Sequence, residues 1–227
     1  MRHFCYRKKR RQYQSLAPTF MAVPNLTIFG VDENEASINY GTVRQITDED
    51  RLIILLKLRI EVFFIGQVKP LETVSPFPLS VMTCIGVETL GEITIAESSD
   101  DNGIQFKNIL GKFDTNLAKT LTKTEKELVK KNWPDKDGEK IKNLTDLFYK
   151  YYRNTMIHGY RGKGVFLSSD LKPPFIFNDG FLIINPDWFW TRFIEVFNST
   201  FEQLLKDKKK GSGERTRCLD YIRKLLD

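Results

Sequence analysis

The spacing of apolar residues predicts helices along most of the chain. A first helix is predicted to begin at the N-cap Thr47, with Asp50 three residues later, and to end at Pro70. Its apolar side recurs at helical spacing, at Leu52, Leu56, Ile60, Phe63 and Phe64. Residues 79–95 are apolar on nearly all sides, which favours a central bundle helix, although their β-branched residues leave a buried strand as the alternative. Glu88 places a carboxylate inside this apolar run.

The middle of the chain predicts two further helices. Residues 115–132 form a Lys- and Glu-rich amphipathic pattern whose apolar side carries Leu117, Leu121 and Leu128. A second helix is predicted from about residue 139 to His158, because Gly159 is a natural stop. One stripe of this helix is apolar or weakly polar: Ile141, Leu144, Phe148, Tyr151 and Thr155.

The pattern changes after residue 160. Residues 165–168 and 175–177 read as short strands, and the turn at 178–180 leads into a third strand at 181–184, which indicates a hairpin. Asn185 followed by Pro186 opens a Phe-rich helix as N-cap and first residue. A basic loop at 206–217, interpreted as a solvated linker or a phosphate-contacting patch, precedes a last helix. The prediction is therefore a mainly α fold with a small β-hairpin.

The distribution of charge matters more than its sum. The 227 residues include 35 basic and 29 acidic ones, for a net charge of +6. Six of the basic residues lie within residues 1–11, so the rest carries 29 of each sign. Residues 1–20 are interpreted as a disordered basic arm, a transit-like peptide, or an extension before Met21. The predicted domains are this arm, a helical bundle over 21–160, and residues 161–227 packed on the same bundle.

Cysteine and histidine usage limits the chemistry. Three scattered cysteines give neither a disulfide framework nor a zinc half-site: Cys5, Cys84 and Cys218. The two histidines, His3 and His158, are too few for a multi-histidine metal centre, and neither a metal nor a cofactor is expected.

The most apolar long stretch, residues 52–65, contains three charged residues. We therefore predict no membrane span, and a cytoplasmic protein.

The segment 153–160 carries the candidate chemistry. His158 can move protons near neutral pH, Arg153 can hold a phosphate, and Asn154 and Tyr160 can orient either group. Asn154 and His158 share a helix face, whereas Arg153 points away from the apolar stripe, roughly 140° from His158 on a straight helix. Either the helix frays at Gly159, or two copies of it meet in a homodimer and line one cleft; we favour the dimer. The plain alternative is a helix-capping histidine and a solvated arginine.

The same octet resembles a family signature. The form Arg153-Asn154-xxx-His158-x-Tyr160 is similar to the Rx4HxY motif of the HEPN superfamily (higher eukaryotes and prokaryotes nucleotide-binding domain). The preceding run LFYKYYRN and the earlier GVETLGEI are similar to abortive-infection-type members, and the resemblance covers roughly residues 48–160. It implies an up-and-down helical bundle that dimerises into a composite, metal-independent endoribonuclease site.

The resemblance also implies roles for individual residues. Arg153 would stabilise phosphate, Asn154 would orient it, His158 would act as acid and base, and Glu88 would contact the arginine. Tyr160 matches the position that a partner nucleotidyltransferase-type antitoxin modifies in toxin members. The chain departs from the compact toxins because it continues after the motif with a hairpin and two helices.

Two further cations lie beside the motif. The segment 159–164 is rich in glycine and contains Arg161 and Lys163, which are available for RNA backbone contacts; a plain turn is the alternative.

The favoured function is an endoribonuclease that cleaves RNA by attack of the 2′-OH, in phage defence or a toxin–antitoxin pair. The alternatives are a non-catalytic helical module that binds a nucleotide, RNA or protein, and a purely structural helical dimer.

Overall fold

The computed structural model describes seven stretches of the chain: residues 28–73, 75–95, 103–132, 141–158, 164–179, 181–207 and 213–227. The predictions for residues 1–20 lie outside these ranges. The described residues are mainly helical and carry two small sheets, as the sequence predicts in outline. None of the described helices is both long enough and apolar enough to cross a membrane.

The described α-helices are joined at two points by wider π-helical segments. The α-helices are α1 Tyr40–Arg44, α2 Glu49–Ile60, α3 Gly66–Val68, α4 Pro76–Thr94, α5 Ile104–Gly111, α6 Lys123–Asn132, α7 Leu144–Leu147, α8 Asn154–His158, α9 Pro186–Lys206 and α10 Gly213–Leu226. A π segment, Glu61–Ile65, joins α2 to α3, and a second, Phe148–Arg153, joins α7 to α8. A 3₁₀ turn, Lys69–Thr73, follows α3.

Helix α4 is the centre of the fold, which confirms the helical interpretation of residues 79–95. It packs against α5, α9 and α10, and also against α8. Three hydroxyl side chains are fully buried on it, and each donates a hydrogen bond to a carbonyl one turn earlier: Ser80, Thr83 and Thr94. Because those hydroxyls are satisfied within the helix, α4 can be surrounded by apolar neighbours without an unpaired polar group.

The sheets are small and lie at separate points of the chain. Strands β1, Ile28–Val31, and β2, Ser37–Asn39, form an antiparallel pair that the sequence did not predict. The second sheet has the order β3-β5-β4, with β3 Val165–Leu167, β4 Phe175–Asn178 and β5 Phe181–Ile184. The β4–β5 hairpin confirms its prediction, and β3 adds a parallel partner to β5.

Helices α2 and α6 both begin later than predicted, and each is directly preceded by a residue whose side chain caps it. The N-cap of α2 is Asp48 rather than Thr47, because the Asp48 carboxylate accepts from the backbone N–H of Asp50 and Arg51. Helix α6 begins at Lys123 rather than 115, where Thr122 and Glu125 form a reciprocal capping box.

The residues before α6 pair with the chain that leads into α7. The Leu121 N–H donates to the Lys142 carbonyl, and the Thr145 N–H donates to the Leu117 carbonyl. Two backbone groups of residues 115–122 are therefore paired with a distant segment instead of within a helix. The predicted start of the next helix at residue 139 is also wrong, because α7 begins at Leu144 with Asn143 as its N-cap.

The π segment after α2 changes which side chains face the core. Phe63 was predicted on the apolar side of the helix, yet it is about half exposed, whereas Leu55 and Leu56 are buried. A π turn holds more residues than an α turn and so rotates each residue less around the axis. The apolar stripe counted at α-helical spacing therefore loses its phase at Glu61–Ile65.

The predicted basic loop at 206–217 is shorter in the structure. Helix α9 extends to Lys206 and α10 already begins at Gly213. Arg215 is consequently a buried residue of α10, not a solvated cation, and its guanidinium lies 2.9 Å from Asp50 and 3.2 Å from Glu49. This ion pair fixes α10 to the first turn of α2.

Loss of the α9 N-cap should destabilise the protein measurably. Asn185 accepts from the N–H groups of Asp187 and Trp188, as its pairing with Pro186 predicts. We expect Asn185→Ala to lower the free energy of unfolding by about 1 kcal/mol in urea titrations. The Asn185 amide also donates to the Leu171 carbonyl over 2.8 Å, so the matched control is Asn185→Ser, which loses that donor as alanine does but keeps an acceptor at the cap and should lose less. Equal losses in both variants would contradict the capping role.

Candidate functional site

The structure brings Arg153 and Glu88 together. Arg153 ends the π segment that precedes α8, and Glu88 lies on the central helix α4, which packs against α8. The Arg153 guanidinium donates through Nη2 to the Glu88 carboxylate in an ion pair. The arginine side chain is 15 % exposed and the glutamate side chain 26 % exposed, so the pair is partly open to solvent. The site therefore joins the motif helix to the middle of the bundle.

Asn154 and Tyr149, which lie close to Arg153 in the chain, fix the direction of its guanidinium. Nη1 of Arg153 donates to the side-chain oxygen of Asn154 over 2.9 Å. The guanidinium carbon lies 5.7 Å from the centroid of the Tyr149 ring, within cation–π range. Arginine thus has a carboxylate, an amide oxygen and an aromatic ring around it. Such an arrangement holds the cation in one orientation, which is what the recognition of a phosphate requires.

The predicted outward direction of Arg153 is wrong. That prediction counted rotation at the regular α-helical angle, whereas residues 148–153 form a π segment. The changed rotation turns Arg153 toward α4 and leaves it mostly buried. Because Arg153 neutralises a carboxylate inside the fold, its guanidinium also contributes to the stability of the protein.

The other predicted site residues are only partly described. His158 is the last residue of α8, four residues after Asn154. Tyr160, Arg161 and Lys163 lie outside the described residues, so their predicted roles remain predictions. Within the described ranges, no group of three or more histidine, cysteine or acidic side chains is arranged to hold a metal ion.

A buried layer lies close to the Arg153–Glu88 pair. Cys84, one turn before Glu88 on α4, is fully buried, which confirms its interpretation as a buried thiol. Burial raises the pKa of the Cys84 thiol, although the nearby Arg153 charge opposes that shift. Burial likewise raises the pKa of the Tyr152 hydroxyl. Both groups are neutral in the folded protein near neutral pH, so neither adds a charge to the Arg153–Glu88 pair.

These buried groups predict a loss of stability at alkaline pH. An unfolded thiol ionises near its ordinary pKa of about 8.5, whereas the folded Cys84 keeps its proton above that pH. The unfolded state then binds fewer protons than the folded state, and the free energy of unfolding falls as pH rises. We expect Cys84→Ala to show a smaller fall than the wild type between about pH 8 and pH 10 in urea titrations. Identical pH profiles would contradict this linkage.

Sequence reasoning missed one residue of the site. In the sequence, Tyr149 is one residue of the aromatic run LFYKYYRN and has no predicted role. In the structure, its ring lies against both Arg153 and Phe106 of α5. A cation four residues after an aromatic residue on one helix is a signal that could have indicated this contact. Position 103 must also stay small, because a Cβ there would lie 2.5 Å from the Tyr149 ring.

Comparison of the chain with protein-family models, curated protein sequences and solved structures finds no match. The motif residues and the geometry around Arg153 are therefore the features of this chain that bear on its function.

Proposed function

We propose that this chain is a metal-independent endoribonuclease of the HEPN type, with Arg153, Asn154 and His158 as its functional residues. The observation that supports it best is the fixed guanidinium of Arg153, held by Glu88 and Asn154 on the segment that ends at His158. A partly exposed and oriented arginine can stabilise the charge that develops on a phosphate during cleavage. Asn154 keeps that guanidinium in place.

In the proposed reaction, the RNA supplies its own nucleophile. An imidazole of His158 removes the proton of a ribose 2′-OH, and the 2′ oxygen attacks the adjacent phosphorus. The bond from phosphorus to the 5′ oxygen breaks, and a second imidazole donates a proton to that leaving oxygen. The products are a 2′,3′-cyclic phosphate and a 5′-OH end. No metal ion takes part in these steps.

The need for both a base and an acid favours a homodimer in this proposal. One histidine cannot accept and donate a proton in the same step, and His158 is the only histidine of the chain beyond the first few residues. Two copies of α8 side by side would supply two imidazoles and two Arg153 side chains to one cleft. The proposed partners are thus RNA and a second copy of the chain.

Regulation through Tyr160 belongs to the same proposal. A nucleotidyltransferase-type antitoxin that modifies Tyr160 would add negative charge two residues from His158, and that charge would repel RNA. This would suit a role in phage defence or in a toxin–antitoxin pair.

One observation favours a second candidate, a non-catalytic HEPN-like module that binds a nucleotide, RNA or a protein. The Glu88 carboxylate already neutralises Arg153, and it would repel an incoming phosphate. In that case the ion pair serves mainly to hold α4 against the motif segment. The two candidates differ in whether RNA is cut.

The test is the cleavage of RNA by the purified protein in the presence of a chelator. We expect shortened RNA whose new ends are 2′,3′-cyclic phosphate and 5′-OH, together with a dimer mass by light scattering. A 2′-O-methyl RNA of the same sequence is the control and should stay intact, because it lacks the nucleophile. Intact RNA in both samples, over a range of RNA sequences, would favour the non-catalytic module.

A further inference from the structure

The outer face of the β3-β5-β4 sheet is apolar although it faces solvent. Side chains alternate along each strand, so Leu182 and Ile184 of β5 are buried while Phe181 and Ile183 point the other way. The register places Phe166 of β3 opposite Ile183, and Ile176 of β4 opposite the same residue. Four large apolar side chains therefore share the outer face: Phe166, Ile176, Phe181 and Ile183.

Two of these side chains form an exposed aromatic pair. Phe166 is 52 % exposed and Phe181 is 40 % exposed, and their ring centroids lie 5.9 Å apart. Packing within the chain does not explain them, because the inner face of the sheet already supplies the core contacts, such as Phe175 against Phe148. Exposed ring faces at this spacing are suited to stacking against another flat, apolar group.

A row of lysines lies on helix α6, whose last residue contacts the same sheet. Helix α6 presents Lys123, Lys126 and Lys130 on one side, at intervals of three and four residues, with Lys131 following. Within the described part of the chain none of these four lysines has a carboxylate partner. Two acids lie among them, Glu125, which is engaged with Thr122 in the helix cap, and Glu127.

The end of this helix is attached to the sheet. Asn132, the last residue of α6, donates from its side chain to the carbonyl of Asp179 in the β4–β5 turn. Phe181 begins β5 two residues after Asp179. Lys130 and Lys131 therefore approach the end of the sheet at which Phe181 lies.

We propose that the outer sheet face and the α6 lysines form a binding surface for single-stranded nucleic acid. Unpaired bases would stack on Phe166 and Phe181, and the phosphates would lie along the lysines. Aromatic rings beside unpaired cations are the combination that single strands use, since every base has a flat face and every linkage a charge. A duplex hides its base faces and would gain only the phosphate contacts.

The charge of the surface argues against a second copy as the occupant. In a symmetric dimer the same patch meets itself, so each copy would bring its lysines near those of its partner. Like charges facing each other across an interface oppose association. A polyanion with apolar bases meets both the rings and the lysines with favourable contacts.

The test measures the affinity of the full chain for a single-stranded 2′-O-methyl oligouridine of about twelve nucleotides, which cannot be cleaved through its 2′ position. We expect Phe166→Ala with Phe181→Ala to weaken binding roughly ten-fold or more. Phe166→Tyr with Phe181→Tyr should retain most of the affinity, because the aromatic faces remain. We expect Lys130→Ala with Lys131→Ala to make the slope of log affinity against log salt less steep by about 1.4, since each lost phosphate contact of a single strand removes about 0.7.

Matched controls separate this surface from general effects. Phe63→Ala removes another ring that is 52 % exposed, and Lys69→Ala removes an exposed lysine; both should bind the oligonucleotide like the wild type. A matching duplex should bind more weakly than the single strand. Equal loss of affinity in Phe63→Ala and in the paired sheet variant would overturn the proposal, and so would a sheet variant that changes from dimer to monomer without losing affinity.

This inference deepens the proposed nuclease function by naming unpaired RNA as its substrate, yet the two can fail separately. If the chain binds the oligonucleotide through Phe166 and Phe181 but cuts no RNA, the surface remains and the nuclease proposal falls. If it cuts RNA while the sheet and lysine variants keep wild-type affinity and KM, the surface proposal falls alone.

Discussion

Replacement of Arg153 by alanine is expected to slow RNA cleavage by at least about a hundred-fold, the range seen when one donor to a transition-state charge is removed. Its guanidinium is the cation that Glu88 and Asn154 hold in position beside the motif helix. Affinity for an uncleavable RNA should change much less, because this contact strengthens as charge develops on the phosphate. The measurements are the single-turnover rate on RNA and the Kd of its 2′-O-methyl counterpart.

Stability has to be followed in the same variant, because Arg153 also neutralises Glu88 inside the fold. We expect a loss of about 1 to 3 kcal/mol in the free energy of unfolding, more than an exposed surface pair contributes, because the Glu88 carboxylate would lose its partner at a mostly buried site. Arg192→Ala is the matched control, since Arg192 pairs with Glu195 on α9 and should leave the rate unchanged. Arg153→Lys keeps the charge without the planar fork, and its rate should lie between those of the wild type and Arg153→Ala.

His158→Ala should lose cleavage to a similar extent as Arg153→Ala while staying folded. Wild-type rates in both variants would overturn the assignment of the site. Unfolding of Arg153→Ala at moderate temperature, with His158→Ala fully active, would show instead that the ion pair is structural and that the chemistry lies elsewhere.

Several elements of this fold could be predicted because their signals are local. The Asn185-Pro186 pair marks the start of α9, and the turn at 178–180 marks the β4–β5 hairpin; the structure has both. The apolar run of α4 required burial on all sides, which the packing of α5, α9 and α10 provides. Each of these signals lies within a few residues of the element that it predicts.

The errors arise where a distant contact or a change in helix type decides the outcome. The backbone of residues 115–122 pairs with the chain before α7, a contact that no local pattern indicates. Both π segments lie in stretches whose sequence predicts an ordinary α-helix. Each changes the rotation of its own residues around the helix axis, and so the direction in which their side chains point. Phe63 and Arg153 are the two residues for which this change reversed the predicted direction.

The candidate site likewise contains residues that a local sequence pattern indicates and a contact between elements that are distant in the chain. The motif residues Arg153, Asn154 and His158 could be identified from the sequence because they form one short pattern, less than two helical turns long. The contact between Glu88 and Arg153 is one that the family resemblance implies. Spacing in the sequence alone could not indicate it, because the two lie 65 residues apart and meet through the packing of α4 against α8. Tyr149 and Arg153 lie four residues apart, so the spacing alone could have indicated their contact.

Replacement of Phe189 by alanine is expected to cause the largest loss of stability among the substitutions considered, about 3 to 5 kcal/mol. Phe189 of α9 is fully buried, and its ring contacts four other aromatic rings: Phe113, Phe148, Tyr152 and Trp188. Alanine would leave a cavity among large rigid rings that cannot collapse to fill it. A domain of this size is stable by only about 5 to 15 kcal/mol, so the variant should approach unfolding at 37 °C.

The same substitution tests how the core supports the site. Phe148 and Tyr152 belong to the π segment that ends at Arg153, so a cavity beneath them should let that segment move. We expect cleavage by Phe189→Ala to fall at temperatures below its unfolding midpoint, whereas Phe189→Leu, which fills more of the space, should fall less. Urea titration and thermal unfolding give the stability, and cleavage rates below the midpoint give the effect on the site. A loss under about 1 kcal/mol would mean that the aromatic cluster is not the support for the motif segment that its burial indicates.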